Sequence, residues 1–365
     1  MNNQKPFIHT KDTAYHKERQ EFAHKLYEDP HLLPHRYVFV LTNRCNLRCS
    51  FCFQEKSFIP GSMSTDDWLK LIDQLPEYAW VTLTGGEPFI FKGFETVFRK
   101  VAEKFRCNII TNGLLLTEPL IELLLDYPNF KTLSVSVDDI GNIVRDVNPK
   151  KWAAAENMMR QFVKRRNERG SKTILDSKTV VLDQNMADLL NIHKYCVETL
   201  QCDTHSFQLL KGSPIQHSDI MFKYEEIVKT SEAPTYEKWD VLCDQLEKVR
   251  QYNQDFDKSC YIHPKIADLN STSPIDTKKI SYINLKEFVP ENYHPCKAMW
   301  ESVHINVDGH LFPCMAVSMG NVKEKPLADI IHGELFTKLK TKIKQDGLVE
   351  ACNRCGYLRP QDRFL

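Results

Sequence analysis

The chain is predicted to be an α/β protein: a parallel sheet that curls, with its helices packed outside. Three observations predict this. Strand-like and helix-like patterns alternate through the first 211 of the 365 residues, giving six strand–helix repeats. Helix starts and stops carry their own local signals. The first strand-like run, Arg36 to Leu41, has the β-branched and aromatic character of a buried strand.

In order, strands are expected near 37–41, 79–84, 107–111, 131–137, 173–181 and 205–210. Helices are expected near 65–75, 93–104, 117–126, 150–168 and 185–200. Ser64 precedes Thr65-Asp66-Asp67 as an N-cap, Thr117 opens a turn that contains Pro119, and Pro149 precedes Lys150-Lys151-Trp152. Gly170 suits the C-terminal cap of the long fourth helix. Residues 1–34 form a polar arm with a helix near 13–28, too short for a separate peptide-binding domain. Residues 35–211 hold the repeats. From 212 to 295 the texture changes: Tyr236 to Tyr252 is a charged amphipathic helix and Asn270 to Thr277 is rich in Ser, Thr and Pro. That stretch is expected to bridge to a last module, 296–365, and to cover the mouth of the sheet.

Forty-eight basic residues balance forty-eight acidic ones, leaving no electrostatic footprint for nucleic acid. No apolar run reaches the length of a membrane span, and MNNQKPFIHTK is not a signal peptide. Twelve Cys without a secretory signal imply reduced thiols and a cytoplasmic setting.

Three of those thiols, Cys45, Cys49 and Cys52, fall within CNLRCSFC, directly after the first strand. Loops at the C-terminal ends of strands are where curled and open α/β folds place active sites. Three thiolates in a short run suit a cubane iron–sulfur cluster with one iron left open. Zinc, which wants four ligands, and simple buried thiols are the alternatives. The second strand runs into Gly85-Gly86-Glu87-Pro88. Two glycines allow close backbone approach to a ligand, and a carboxylate follows that can accept from an ammonium group.

Together these residues resemble the radical S-adenosylmethionine (radical SAM) enzymes. The resemblance covers CNLRCSFC, the GGEP turn and the order of strands and helices to about residue 211. It implies a partial (β/α)6 TIM-like barrel in which Cys45, Cys49 and Cys52 hold a [4Fe–4S] cluster. SAM would chelate the open iron, and its reductive cleavage would release a 5′-deoxyadenosyl radical. Gly85, Gly86 and Glu87 match the turn at the SAM amino group, and Phe51 the position beside the adenine. Asn112, at the end of the third strand, with Ser136, Asp138 and Gln208, match positions that contact the SAM carboxylate or ribose. Ordinary strand-end turn chemistry explains each of these equally well.

Cys296 and Cys314, with Asp308-Gly309 between them, are followed by the pair Cys352 and Cys355. Four soft ligands also suit a structural zinc ribbon. Within the resemblance, Cys296, Gly309 and Cys314 followed by a late CxxC look like the Twitch module, the shortened relative of SPASM. The fold class is then α/β, with a C-terminal α+β Twitch domain holding one auxiliary [4Fe–4S] cluster. Residues 304–311 are expected to form its β-hairpin. No Cys follows Cys355, which argues against a second auxiliary cluster.

Cys107 and Cys196 are expected to be buried small hydrophobes. Cys202 and Cys260 are candidate hydrogen donors to a substrate radical. The resulting expectation is an enzyme that abstracts hydrogen from a small polar metabolite of sugar, aminocyclitol or nucleoside type, with the auxiliary cluster accepting an electron. An external one-electron donor such as flavodoxin or ferredoxin would feed it. Modification of a ribosomally made peptide, by crosslinking or epimerisation, is the alternative, disfavoured by the short N-terminal arm. A zinc-binding scaffold without catalysis is a third.

Overall fold

The computed structural model describes residues 13–29, 31–52, 54, 59–212, 215–216, 218–225, 235–284 and 288–361. Six parallel strands follow the expected order: β1 (Arg36–Val40), β2 (Trp80–Thr84), β3 (Arg106–Thr111), β4 (Phe130–Ser136), β5 (Ile174–Val181) and β6 (Thr204–Leu209). A seventh, β7 (Tyr261–His263), adds parallel to β6. Three residues are too few for an alternating pattern to show in the sequence. On the other edge β8 (Ser302–Ile305) runs parallel to β1, and β9 (His310–Phe312) and β10 (Gly320–Asn321) continue antiparallel. The sheet order is therefore β10-β9-β8-β1-β2-β3-β4-β5-β6-β7.

The helices are α1 (Thr13–Glu28), α2 (Thr65–Ile72), α3 (Phe94–Lys104), α4 (Glu118–Leu125), α5 (Pro149–Glu168) and α6 (Leu189–Lys194). They continue with α7 (Trp239–Phe256), α8 (Thr277–Ile280), α9 (Ala298–Glu301), α10 (Leu327–Ile331) and α11 (Glu334–Asp346). Ser64 caps α2 in a full capping box, its hydroxyl accepting from Asp67 N while Asp67 accepts from Ser64 N. Thr117 and Asn148 cap α4 and α5, and Gly170 leaves α5 at φ +62. The expected fifth helix is broken: α6 passes into a π turn, Tyr195–Thr199. Helix α7 begins three residues later than expected and runs to Phe256.

Side chains alternate across the strands. Tyr37, Phe39, Val81, Leu83, Ile109, Leu133, Val135 and Phe207 are fully buried and join one apolar core with Trp68, Phe98 and Phe162 of the helices. The opposite face is polar and cross-linked from strand to strand. Arg36 Nε and Asn108 Oδ1 both meet the Thr82 hydroxyl, at 3.2 and 2.8 Å, and Ser134 and Thr204 both donate to Asp176, at 2.8 and 2.7 Å.

Two neighbouring residues show how far the sheet curls. The Tyr357 hydroxyl accepts from Arg36 of β1 at 2.5 Å, while a side chain at Gly356 would lie 3.2 Å from Gln208 Oε1 of β6 and 3.7 Å from His263 of β7. The far end of the chain thus lies between the first strand and the last two, across the interior of a partial barrel. Gln216 fastens it by donating to the carbonyls of Ala351 and Asn353, each at 2.7 Å. Helix α1, as expected over 13–28, packs against the C-terminal module, where the ammonium groups of Lys297 and Lys344 lie over the Tyr27 ring. Among the described residues no helix is long and apolar enough to cross a membrane.

Candidate active site

Cys45, Cys49 and Cys52 sit half-buried in the loop that leaves β1. The GGEP turn at the end of β2 sets that loop. Gly86 N donates to Thr42 O at 2.6 Å and Glu87 N to Arg44 O at 2.9 Å. A Cβ at Gly86 would stand 2.3 Å from Arg44 O, and one at Gly85 (φ +155) 2.3 Å from Thr42 O. The backbone these glycines approach is the chain's own, from Thr42 to Arg44, directly before Cys45.

The Glu87 carboxylate is wholly buried. It accepts from the Thr111 hydroxyl at 2.7 Å, Asn112 N at 2.8 Å and Phe89 N at 3.4 Å. Burial pushes it up to about 7, against the pull of those donors. The side chain expected to meet an ammonium group is thereby committed to tying β2 to β3. Asn112, so positioned, donates to Asn46 Oδ1 at 2.7 Å and toward Cys45 Sγ at 3.7 Å.

Asp138 is also wholly buried. Val180 N donates to it at 2.6 Å, and its other oxygen pairs with Arg145 Nε. Burial raises its carboxyl and Arg145 opposes the rise. Arg145, which the sequence did not single out, points Nη1 at Cys49 Sγ, 3.7 Å away, and lies 5.3 Å from the centre of the Phe51 ring. Asp138 therefore acts on the loop through Arg145. Ser136 is half-buried on the polar face opposite Lys178. Gln208 donates to the carbonyls of Leu209 and His263, both at 3.1 Å, and so stands against the C-terminal segment.

The second cysteine set also fits a cluster. Burial raises the Cys314 thiol, and then its neighbours Cys296, Cys352 and Cys355 raise it further; burial pushes Cys296 to about 11. Gathering four anionic sulfurs in a half-buried place is costly unless bound cations neutralise them. Lys211, just past β6, is lowered to about 7 by burial, while Cys355 and Cys314 oppose that drop. Cys296 Sγ accepts from Ala298 N at 3.4 Å. Among the described residues no three His, Cys, Asp or Glu groups converge on one point as a single ion requires. A cubane takes each thiolate at a separate corner.

Cys202 and Cys260 do not suit the role of hydrogen donors. Both precede their strands, at the end of the sheet away from the cysteine loop, and both are buried, Cys260 completely. Cys260 sits beside Asn253 of α7, and burial raises both thiols. Cys107 and Cys196 are buried as expected.

Between the two cysteine sets lies a cavity of about 420 Å³, lined by Ser50 and Phe51 of the first loop, Leu182 and Asp183 after β5, Tyr236, and Arg354 from within the CxxC pair. Arg354 carried a signal the sequence analysis passed over: it is the one charged residue between Cys352 and Cys355.

Residues 39–196 match the Radical SAM superfamily, and residues 296–356 match the SPASM iron–sulfur cluster-binding domain. A tungsten-containing aldehyde ferredoxin oxidoreductase cofactor-modifying protein of Pyrococcus furiosus is 26% identical, over 88% of this chain and 87% of its own. The sporulation killing factor maturation protein SkfB of Bacillus subtilis is 23% identical, over 86% of this chain and 68% of its own. Among solved structures, Streptococcus suis SuiB bound to precursor peptide SuiA superposes with a TM-score of 0.62 at 16% identity, covering 98% of this chain and 79% of that one. The two matched stretches contain all seven cysteines of the two sets, and the chain belongs to the radical SAM superfamily, in its SPASM/Twitch subgroup, as an enzyme whose cofactors are SAM and [4Fe–4S] clusters.

Proposed function

We propose that this enzyme modifies a ribosomally made peptide by abstracting hydrogen from one of its residues. The observation that carries this is the kinship with SkfB, named for maturation of a killing factor, supported by the fold shared with a protein solved with a precursor peptide. It displaces the small polar metabolite that the Twitch resemblance suggested. A small-molecule substrate remains the second reading because the Pyrococcus relative is named for modifying a cofactor.

When bound at Cys45, Cys49 and Cys52, the first cluster and SAM supply a carbon-centred radical, and the set at Cys296, Cys314, Cys352 and Cys355 supplies an electron acceptor closed to substrate. The chain's own residues prepare the site. Glu87 and the two glycines hold the cysteine loop to the sheet. Asn112 and Arg145 direct N–H groups at sulfur, which favours the more negative state of whatever the sulfurs bind. Phe51, Val144, Leu182 and Leu210 give part of the cavity wall an apolar character. An external one-electron donor such as flavodoxin or ferredoxin would deliver the starting electron.

The test is anaerobic incubation of reconstituted protein with SAM, dithionite and a short peptide encoded beside its gene. With the incubation run in D2O, mass spectrometry should find the peptide lighter by two hydrogens, or heavier by one deuterium where a stereocentre has been inverted, with 5′-deoxyadenosine formed in step. An unaltered peptide, alongside a sugar or nucleoside that stimulates SAM cleavage, would overturn the reading in favour of the metabolite.

A further inference from the structure

The loop that carries the first cysteine set presents a positive face. Its exposure alternates: Arg44 and Arg48 are exposed, Cys45 and Cys49 half-buried, and Leu47 buried between them. Lys92, also exposed, follows the GGEP turn, whose Glu87 N donates to Arg44 O at 2.9 Å. Among the described residues none of these three side chains makes an ion pair, whereas cations elsewhere on the surface do, as Arg99 with Glu95 and Lys100 with Asp73. The carboxylate of the turn itself, Glu87, is buried and taken by Thr111 and Asn112, so it does not neutralise them. Leu115, 36% exposed, stands on the adjoining loop after β3, which Asn112 ties to Asn46 at 2.7 Å. Electron transfer weakens steeply with distance, so a carrier must seat its redox group close to the first cysteine set. The cavity side of the loop, where Ser50 and Phe51 line the wall, is kept for SAM and substrate. The face with Arg44 and Arg48 is the other approach, through a single layer of chain.

We infer that Arg44, Arg48 and Lys92 form the docking surface for the one-electron donor, an acidic protein whose carboxylates surround its exposed redox group. The inference rests on the reading above, in which the first cysteine set takes its electron from an external carrier. Opposite charges steer the encounter and set its orientation, and Leu115 adds an apolar contact. One electron crosses. A flavodoxin in its anionic hydroquinone state leaves as the neutral semiquinone, the iron–sulfur group is reduced by one electron, and no proton need move.

The test uses the reconstituted holoenzyme and a purified flavodoxin, with dithionite as the small reductant that needs no docking surface. Affinity is read by calorimetry with oxidised flavodoxin, and electron arrival by stopped-flow absorbance of the hydroquinone. Wild type should bind more weakly as added salt shortens the screening length from about 30 to about 3 Å. The Arg48→Glu, Lys92→Glu double variant should lose about tenfold in affinity and rate at low salt. Its iron content and its 5′-deoxyadenosine yield under dithionite should match wild type. Binding that ignores salt, or that survives the double reversal, would overturn the inference. Should the double variant lose iron, Arg48→Gln, Lys92→Gln decides: an affinity cut by about threefold or more supports the docking surface, and an undiminished one sinks it. A double variant that holds flavodoxin but releases the encoded peptide would give this face to the substrate and also end the inference. If wild type binds flavodoxin as expected yet makes no 5′-deoxyadenosine even with dithionite, the proposed function falls while the docking surface stands.

Discussion

Gly86 and Glu87 show how one short motif serves two structural tasks. Because a Cβ at Gly86 would collide with Arg44 O, Gly86→Ala must push the cysteine loop away from β2. The expected loss is about 1–3 kcal/mol of stability together with iron from the first site, read by urea denaturation and iron analysis. Glu87 accepts from three donors, so Glu87→Gln turns an amide NH2 toward a group that also donates. That change should cost about 1–3 kcal/mol despite the matched shape; an unchanged denaturation midpoint would contradict the bracing role. The cysteines and the GGEP turn were legible in the sequence because their geometry is local. Arg145 and Arg354 were not, since each acquires its meaning from a partner distant in sequence: Arg145 from Cys49, and Arg354 from Tyr236 and the cavity.

At the scale of elements, the six strands and their helices were legible because each carries a repeating pattern and a cap. Ser64, Thr117 and Gly170 all act where the local chemistry places them. What escaped were elements whose form depends on neighbours: β7, too short for a period, the π turn at Tyr195–Thr199, and β8, whose joining to β1 no local signal announces. The C-terminal element also permits a clean separation of roles. A Cys352→Ala, Cys355→Ala double variant should fall from about eight irons per chain to about four. It should still form 5′-deoxyadenosine, yet fail to yield the oxidised product. Full product formation by this variant would remove the electron-acceptor role from the second set.

Across the whole molecule, the sheet and its outer helices share a buried polar seam. His193 and His205 face one another at 3.0 Å, with Asn253 on one side and Thr179 on the other. Burial lowers His193 from 6.5 to about 4 and His205 further still. The unfolded chain therefore takes up protons as pH falls through 6.5, while the folded one resists until about 4, so this pair contributes stability above that window and loses it on acidification. Glu87 acts in the opposite sense between 4.5 and about 7, which makes a difference measurement the informative one. Relative to His193→Gln, wild type should lose about 2–3 kcal/mol over the same acidification, seen in urea midpoints at successive pH values. A parallel pH dependence in the two proteins would remove the histidine seam as its source.

The pairing of β1 with β8 carries a last consequence, one of timing. While the ribosome is still extending the chain, β1 has its neighbour on one side and bare amides on the other, since the strand that covers that edge, Ser302–Ile305, is made long after it. Nascent chains should therefore stay sticky until β8 has emerged, and ribosome-stalled fragments ending before residue 302 should recruit holdase chaperones that chains including β8 shed.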